Sequence, residues 1–124
     1  MKILIVDDET SIQRLYQQRF RKEIRAGLIE LSFAFSGEEA LQFLVDGGID
    51  DLTMILSDIN MPKMSGFELL KKVKERYPDL KVMIITAYSD PHNREKAYEL
   101  GATDYMTKPI NFGSLKEKIL HYQN

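Results

Sequence analysis

The stretch "MILSDINMP", residues 54–62, decides the fold, because an apolar strand runs directly into a carboxylate. Its first three residues are continuously apolar, which is typical of a strand covered on both faces in a parallel sheet. Asp58 ends the strand, and Asn60 and Pro62 favour a turn. A carboxylate is costly to desolvate, so Asp58 lies either in water at a loop or at a site that needs negative charge.

Four further segments of the chain have strand character. The segments "ILIV" (3–6) and "VMII" (82–85) are continuously apolar, like residues 54–56. The segment "IELSFAF" (29–35) alternates large apolar residues with polar or small ones, which favours a strand nearer the edge of the sheet. A short fifth strand is predicted at "DYM", residues 104–106.

Helical patterns separate these strands, and most carry a recognisable start or stop signal. Apolar residues keep helical spacing between residues 12 and 24. The later signals are Ser36 with Glu39, Ser65 with Glu68, Asp90 with Pro91, Gly101, and Asn111 ahead of Leu115, Ile119 and Leu120. Five strand–helix units predict an α/β protein with a doubly wound parallel sheet and right-handed crossovers.

Composition excludes several classes of function. The chain has 124 residues, which suits one domain, and its formal net charge of −2 gives no attraction toward nucleic acid or membranes. It contains no cysteine, so it has neither a disulfide framework nor a thiolate metal site. The start "MKILIVDDE" lacks a signal-peptide pattern, and no apolar run is long enough to span a membrane. A cytoplasmic location is therefore expected.

Chemically active residues follow the predicted strands. Asp7 and Asp8 come after the first strand, Asp58 after the third, Thr86 after the fourth and Lys108 after the fifth. In doubly wound sheets, function gathers at the carboxyl ends of the strands. The three carboxylates converge if the first and third strands are neighbours. Each residue alone has an ordinary structural explanation, so the combination carries the prediction.

Converging carboxylates need a counter-ion. Two unit charges about 4 Å apart repel by roughly 4 kcal/mol at an effective dielectric constant near 20. Ligands that are all oxygen favour a hard cation, and Mg²⁺ accepts one or two carboxylates together with water and phosphate. With a lysine and a hydroxyl at the same edge, these groups predict a phosphoryl site. A carboxylate there can act as the nucleophile and become an aspartyl phosphate.

These residues give the chain a resemblance to the receiver domains of two-component response regulators. The matching motifs are "ILIVDDE", "SDINMPKMSG", "IITA" and "DYMTKPI", and the resemblance covers nearly the whole length. It implies a flavodoxin-like (βα)5 fold with strand order 2-1-3-4-5. It also implies one receiver domain over residues 1–124 that acts as a phosphoacceptor switch rather than an enzyme. No output domain is expected within these residues, and both a single-domain regulator and a receiver cut from a longer chain remain open.

The resemblance also implies a role for each residue of the site. Asp58 resembles the phosphoacceptor and also contributes to the metal site. Asp8 resembles a direct Mg²⁺ ligand, Asp7 the carboxylate that holds the metal's water, and Asn60 a ligand through its backbone carbonyl. Lys108 resembles the lysine that pairs with a phosphoryl oxygen.

Switching and partners are likewise implied. Thr86 and Tyr105 resemble a switch pair, in which Thr86 moves toward the phosphoryl group and the Tyr105 ring enters the space that it leaves. The bond from Lys108 to Pro109 resembles the cis peptide of the family. The implied phosphodonor is a sensor histidine kinase or a phosphotransfer protein. A downstream protein, and neither nucleic acid nor a membrane, is expected to bind the face formed by residues 90–122.

Two hypotheses come from the residues themselves. The predicted helix from Pro91 to Leu100 has few apolar anchors, so it should dock weakly and belong to the partner surface. Tyr88, two residues after Thr86, is expected at the rim of the site, where its ring would restrict water access to the acyl phosphate.

Three alternatives remain open at this stage. A flavin mononucleotide binder shares the fold class, but "DDET" presents acid where such a protein needs phosphate-binding donors. A magnesium-dependent phosphatase with an aspartate nucleophile would use a D-x-D motif, with a second aspartate two residues after Asp7, but position 9 is Glu. The third alternative is a receiver-like module that binds partners without phosphorylation.

Overall fold

The computed structural model describes residues 1–122 and contains a five-stranded parallel sheet of order β2-β1-β3-β4-β5. The predicted fold class is therefore confirmed. The strands are β1 (Lys2–Val6), β2 (Glu30–Ala34), β3 (Leu52–Ser57), β4 (Lys81–Thr86) and β5 (Asp104–Thr107). The helices are α1 (Ser11–Arg19), α2 (Arg21–Arg25), α3 (Gly37–Phe43), α4 (Gly66–Arg76), α5 (Pro91–Glu99) and α6 (Phe112–His121), and one wide turn (Leu44–Gly48) continues α3. Within residues 1–122, no helix is both long and apolar enough to cross a membrane.

Two apolar layers cover the sheet, one on each face. Ile5 and Leu56 pack with residues of α1 and α6, whereas Leu4 and Ile55 pack with residues of α3, α4 and α5. Because successive strand residues point to opposite faces, the same alternation extends beyond the strand ends. It puts the residues two positions after Ile5 and Leu56, which are both aspartates, on the α1 and α6 side.

The strand patterns correctly predicted which strand lies at one edge of the sheet. The alternating segment 29–35 forms the edge strand β2, whose residues are mostly half-buried or exposed. The continuously apolar segments form β1, β3 and β4, and the residues at the centres of these strands are fully buried. The predicted segment 104–106 forms part of β5 at the opposite edge.

The predicted helix signals also match the structure. The Ser36 hydroxyl accepts the Glu39 N–H at 3.0 Å, and the Glu39 carboxylate accepts the Phe35 N–H at 2.7 Å, one residue before the cap. Ser65 accepts the N–H of Glu68 in the same way. Asp90 and Asn111 cap α5 and α6, Pro91 begins α5, and Gly101 follows its end with a φ of +103°.

Two details of the helices differ from the sequence pattern. Leu120 lies on the exposed side of α6, whereas Leu115 and Ile119, four residues apart on one face, are buried. The apolar spacing from residue 12 to 24 spans two helices, since the backbone leaves helical geometry at Phe20. Phe20 is fully buried at this bend and stacks on Tyr16.

Candidate phosphoryl site

The candidate residues extend the ladders of the sheet by one position. The Asp58 N–H donates to Val6 O at 3.1 Å, and the Asp7 N–H donates to Ala34 O at 3.1 Å. The N–H of Lys108 donates to Thr86 O at 2.7 Å. Since these backbone bonds lie at the carboxyl ends of the strands, residues from four strands meet at one edge of the sheet.

Lys108 lies between two buried carboxylates. Its Nζ is 2.9 Å from Asp58 Oδ2 and 3.0 Å from Asp7 Oδ2. Burial alone would lower the pKa of Lys108, but hydrogen bonds and attraction from Asp58 and Asp7 outweigh it, so the pKa is raised. The ammonium therefore stays charged at neutral pH and neutralises part of the repulsion between the two aspartates.

Backbone N–H groups fix the other oxygen of each carboxylate. Asp58 Oδ1 accepts the N–H of Ile59 at 2.7 Å and that of Asn60 at 3.4 Å. Asp7 Oδ1 accepts the N–H of Glu9 at 3.0 Å. Each aspartate thus has one oxygen held by its own loop and the other directed toward Lys108.

An open cleft of about 240 Å³ lies above this cluster. It is lined by Asp8, Glu9, Asp58, Asn60, Thr86, Ala87, Tyr88 and Lys108. Asp7 lies deeper, in a small space beneath the cleft. The predicted convergence therefore has two levels, with Asp8 and Asp58 at the cleft and Asp7 beneath it.

The donors of the cleft fit a magnesium ion. Within residues 1–122, no three His, Cys, Asp or Glu side chains form a metal site by themselves. Mg²⁺ usually binds through one or two carboxylates and keeps several waters, so it does not require such a group. Asp8, Asp58 and Asn60, which line the same cleft, offer two carboxylates and a backbone carbonyl.

Gly66 sets the position of the loop that carries Asp58. Its N–H donates to Ile59 O at 2.7 Å, and a Cβ at this position would lie 2.0 Å from Asp58 O. No side chain other than hydrogen fits between the start of α4 and this loop. The conformation of Lys63, with a φ of +65°, completes the turn between Asp58 and Gly66.

The candidate switch residues contact each other through Tyr88. The hydroxyl of Tyr105 donates to Tyr88 O at 2.5 Å, and Thr86 Oγ1 accepts the Tyr88 N–H at 3.4 Å. Tyr105 is only 4% exposed, and the Arg94 guanidinium lies 5.6 Å from the centroid of its ring. The sequence hypothesis has the ring enter after Thr86 moves, but in the structure it is already inside.

The Asp104 carboxylate accepts four hydrogen bonds, a role that the sequence did not indicate. Its Oδ1 accepts from the Tyr98 hydroxyl at 3.3 Å and the Tyr105 N–H at 2.8 Å, while its Oδ2 accepts from Lys118 at 2.9 Å and Tyr122 at 3.2 Å. Burial would raise the pKa of Asp104, but these donors outweigh it and the pKa is lowered. Lys118 and Tyr122 are four residues apart in sequence, and this spacing was the only available signal.

Nearly the whole chain matches one family model. Residues 3–120 match the family model described as "Response regulator receiver domain". The chain belongs to the response regulator receiver family. This match confirms the resemblance to the receiver domains of two-component response regulators. The fold class agrees with that of solved receiver domains. The cis peptide between Lys108 and Pro109 is also present.

Similar proteins agree with the family assignment. The chain is 38% identical over 125 residues to the DNA-binding transcriptional regulator NtrC of Escherichia coli K12, covering 98% of this chain but 25% of NtrC. A receiver domain protein from Clostridium thermocellum has a TM-score of 0.88 and 28% identity, covering 99% of this chain and 94% of that one. TrrA of Thermotoga maritima, solved with Mg(2+)-BeF, has a TM-score of 0.81 and 32% identity, covering 98% and 97%.

Proposed function

We propose that this receiver domain accepts a phosphoryl group on Asp58 from the phosphohistidine of a sensor histidine kinase or a phosphotransfer protein. The observation that carries the proposal is that Asp58 lines the cleft and that its Oδ2 lies 2.9 Å from the Lys108 ammonium. In the transfer, this oxygen forms a bond to phosphorus as the bond from phosphorus to the histidine nitrogen breaks. Lys108 then stabilises charge on the transferred oxygens.

The same residues support magnesium dependence. Asp8, Asp58 and the backbone carbonyl of Asn60 would hold the ion, and Asp7 would orient one of its waters. The bound metal supplies positive charge that offsets the charge of the phosphoryl oxygens. A structural relative, TrrA, is in complex with Mg(2+)-BeF. The fixed Oδ1 of Asp58 leaves Oδ2 as the oxygen that reacts.

The proposal is tested by intact mass measurement of the purified chain after incubation with a small phosphodonor. A covalent phosphoryl adduct is expected with Mg²⁺ and is expected to disappear when a chelator removes the ion. A chain that forms no adduct under any of these conditions contradicts the proposal. Turnover of an external phosphate ester would instead support the phosphatase alternative.

Phosphorylation would act on the pair Thr86 and Tyr105 as a bias rather than as a trigger for burial. Since the Tyr105 ring is already inside, the phosphoryl group would stabilise this arrangement over one with the ring outside. A shift from about 1% to about 99% inward needs roughly 5.5 kcal/mol of differential stabilisation. A chain whose inward state is already populated before phosphorylation needs less stabilisation from the phosphoryl group. The alternative of a module that works without phosphorylation gains its support from the same inward ring.

The face of residues 90–122 is the proposed surface for the downstream partner. The residue of α5 that is buried is Ala97, and the helix is otherwise attached by contacts such as Arg94 with Tyr105. Asp104 joins Tyr98 on α5 to β5 and α6. A change in the position of the Tyr105 side chain would therefore reach α5 through the contacts of Arg94 and Tyr98.

Tyr98→Ala is expected to weaken binding of the phosphorylated chain to its downstream target. Tyr98 is 42% exposed. Loss of an aromatic anchor typically costs about 1–2 kcal/mol, or roughly 5- to 30-fold in Kd. A titration of the target measures this change. Val45→Ala, which removes an exposed apolar side chain outside this face, is the matched control. Equal affinity for both variants would remove Tyr98 from the partner surface.

Tyr88→Ala is expected to shorten the lifetime of the acyl phosphate severalfold. Tyr88 is 43% exposed and lines the cleft, whereas its backbone carries the bonds to Thr86 and Tyr105, so alanine removes the ring and keeps those bonds. The decay of the phosphorylated chain, followed by intact mass, gives the lifetime. Tyr98→Ala serves as the control with an exposed ring outside the cleft, and a lifetime equal to that of the wild type would disprove the role of Tyr88.

A further inference from the structure

Tyr16 lies beneath the acidic edge of the sheet and has no role in the site as described above. It belongs to α1 and is 2% exposed. It packs in the same apolar layer as Ile5 and Leu56, the residues whose alternation continues into Asp7 and Asp58. The side chain therefore approaches the two aspartates from the covered face of the sheet, opposite the cleft.

The ring of Tyr16 is fixed by its aromatic neighbours. Phe20 stacks on it with centroids 6.0 Å apart and planes 10° apart, and Phe112 meets it edge-on at 5.6 Å. These contacts need only a phenyl ring, so they do not explain the hydroxyl. The polar atom of Tyr16 must be explained by what lies at the far end of the ring.

A small space of about 10 Å³ lies there, and it has the size of roughly one water molecule. Tyr16 lines it together with Asp7, Ser57, Asp58, Lys108 and apolar strand residues. Burial, followed by the negative charges of Asp7 and then Asp58, raises the pKa of Tyr16. The phenol is therefore neutral and can donate a hydrogen bond toward these carboxylates.

We propose that Tyr16 is a positioning residue for the metal and phosphoryl site, and that its hydroxyl donates through one water to the Asp7 carboxylate. Asp7 Oδ1 accepts from Glu9 and Oδ2 from Lys108, and each carboxylate oxygen can accept a second bond. A third donor would fix the orientation of Asp7, which in turn orients a water of the magnesium ion. This inference rests on the proposed function.

Tyr16→Phe removes the hydroxyl and keeps the ring. Outer hydrogen-bond partners at metal sites typically change metal affinity about 10- to 100-fold, and Tyr16 acts one step further out, through Asp7. We therefore expect the lower end of this range, with Mg²⁺ binding about tenfold weaker by calorimetric titration. Phosphorylation by a small donor should then need about tenfold more Mg²⁺ for half-maximal rate, while the maximal rate changes less. Tyr122→Phe, which loses a hydroxyl bonded to Asp104, is the matched control and should bind Mg²⁺ like the wild type.

The outcomes separate this inference from the proposed function. A wild type that neither binds Mg²⁺ nor forms an adduct overturns the proposed function. A wild type that does both, with Tyr16→Phe equal to it in Mg²⁺ affinity, overturns the inference even if the variant is less stable. As a measurement independent of the variant's folding, the NMR signal of the labelled Tyr16 Cζ should shift when Mg²⁺ is added to the wild type. An unchanged signal also overturns the inference.

Discussion

Asp58→Asn is expected to abolish the phosphoryl adduct that a small phosphodonor and Mg²⁺ produce on the wild-type chain. The amide has the shape of the carboxylate but carries no charge, so its oxygen is a poor nucleophile. It also places an NH₂ group or a neutral oxygen next to Lys108, where the wild type has Asp58 Oδ2 at 2.9 Å. Intact mass after incubation measures the adduct, and the expected result is complete loss.

Asp51→Asn makes this experiment specific. Asp51 is exposed and has a φ of +62°, a backbone region that asparagine tolerates well. The control changes the net charge by the same amount and the side chain by the same atoms, and it should retain the full adduct. An adduct of wild-type size on Asp58→Asn would move the acceptor to another residue. Loss of the adduct in both variants would point to the change in net charge rather than to Asp58.

The positions of the strands and helices along the chain were predictable because short-range patterns determine them. Continuous apolar runs identified the central strands, alternation identified the edge strand β2, and side-chain caps identified the helix starts. These signals depend on neighbours within a few residues. The strand order itself came from the resemblance, since no local pattern indicates which strand lies beside which.

The details of the site could not be predicted because they depend on contacts between distant residues. The ammonium of Lys108 lies between Asp7 and Asp58, which are 101 and 50 residues away in sequence. The two levels of the acidic cluster follow from side-chain directions at the strand ends. The inward position of Tyr105 depends on the carbonyl of Tyr88, and a carbonyl has no signature in the sequence.

Gly66 is a residue whose importance becomes visible only in three dimensions. The sequence marks the neighbouring Ser65 as a helix cap, and Gly66 appears as an ordinary helix residue that alanine should improve. In the structure, however, an added Cβ would lie 2.0 Å from Asp58 O and 2.7 Å from Ile59 Cα. Both atoms belong to the backbone, so the clash cannot be relieved by rotating a side chain.

Gly66→Ala is therefore expected to lower the free energy of unfolding by about 1–3 kcal/mol, the usual cost of overpacking, measured by urea denaturation. Relief of this clash should also move the Asp58 loop away from Lys108, so the rate of phosphorylation should fall even where the variant is fully folded. Gly113→Ala, in the first turn of α6, is the control, because the nearest atom to an added Cβ there is the side-chain oxygen of Asn111, at 3.3 Å. If Gly66→Ala and Gly113→Ala had equal stability and equal phosphorylation rates, the close approach of α4 would not position the acceptor.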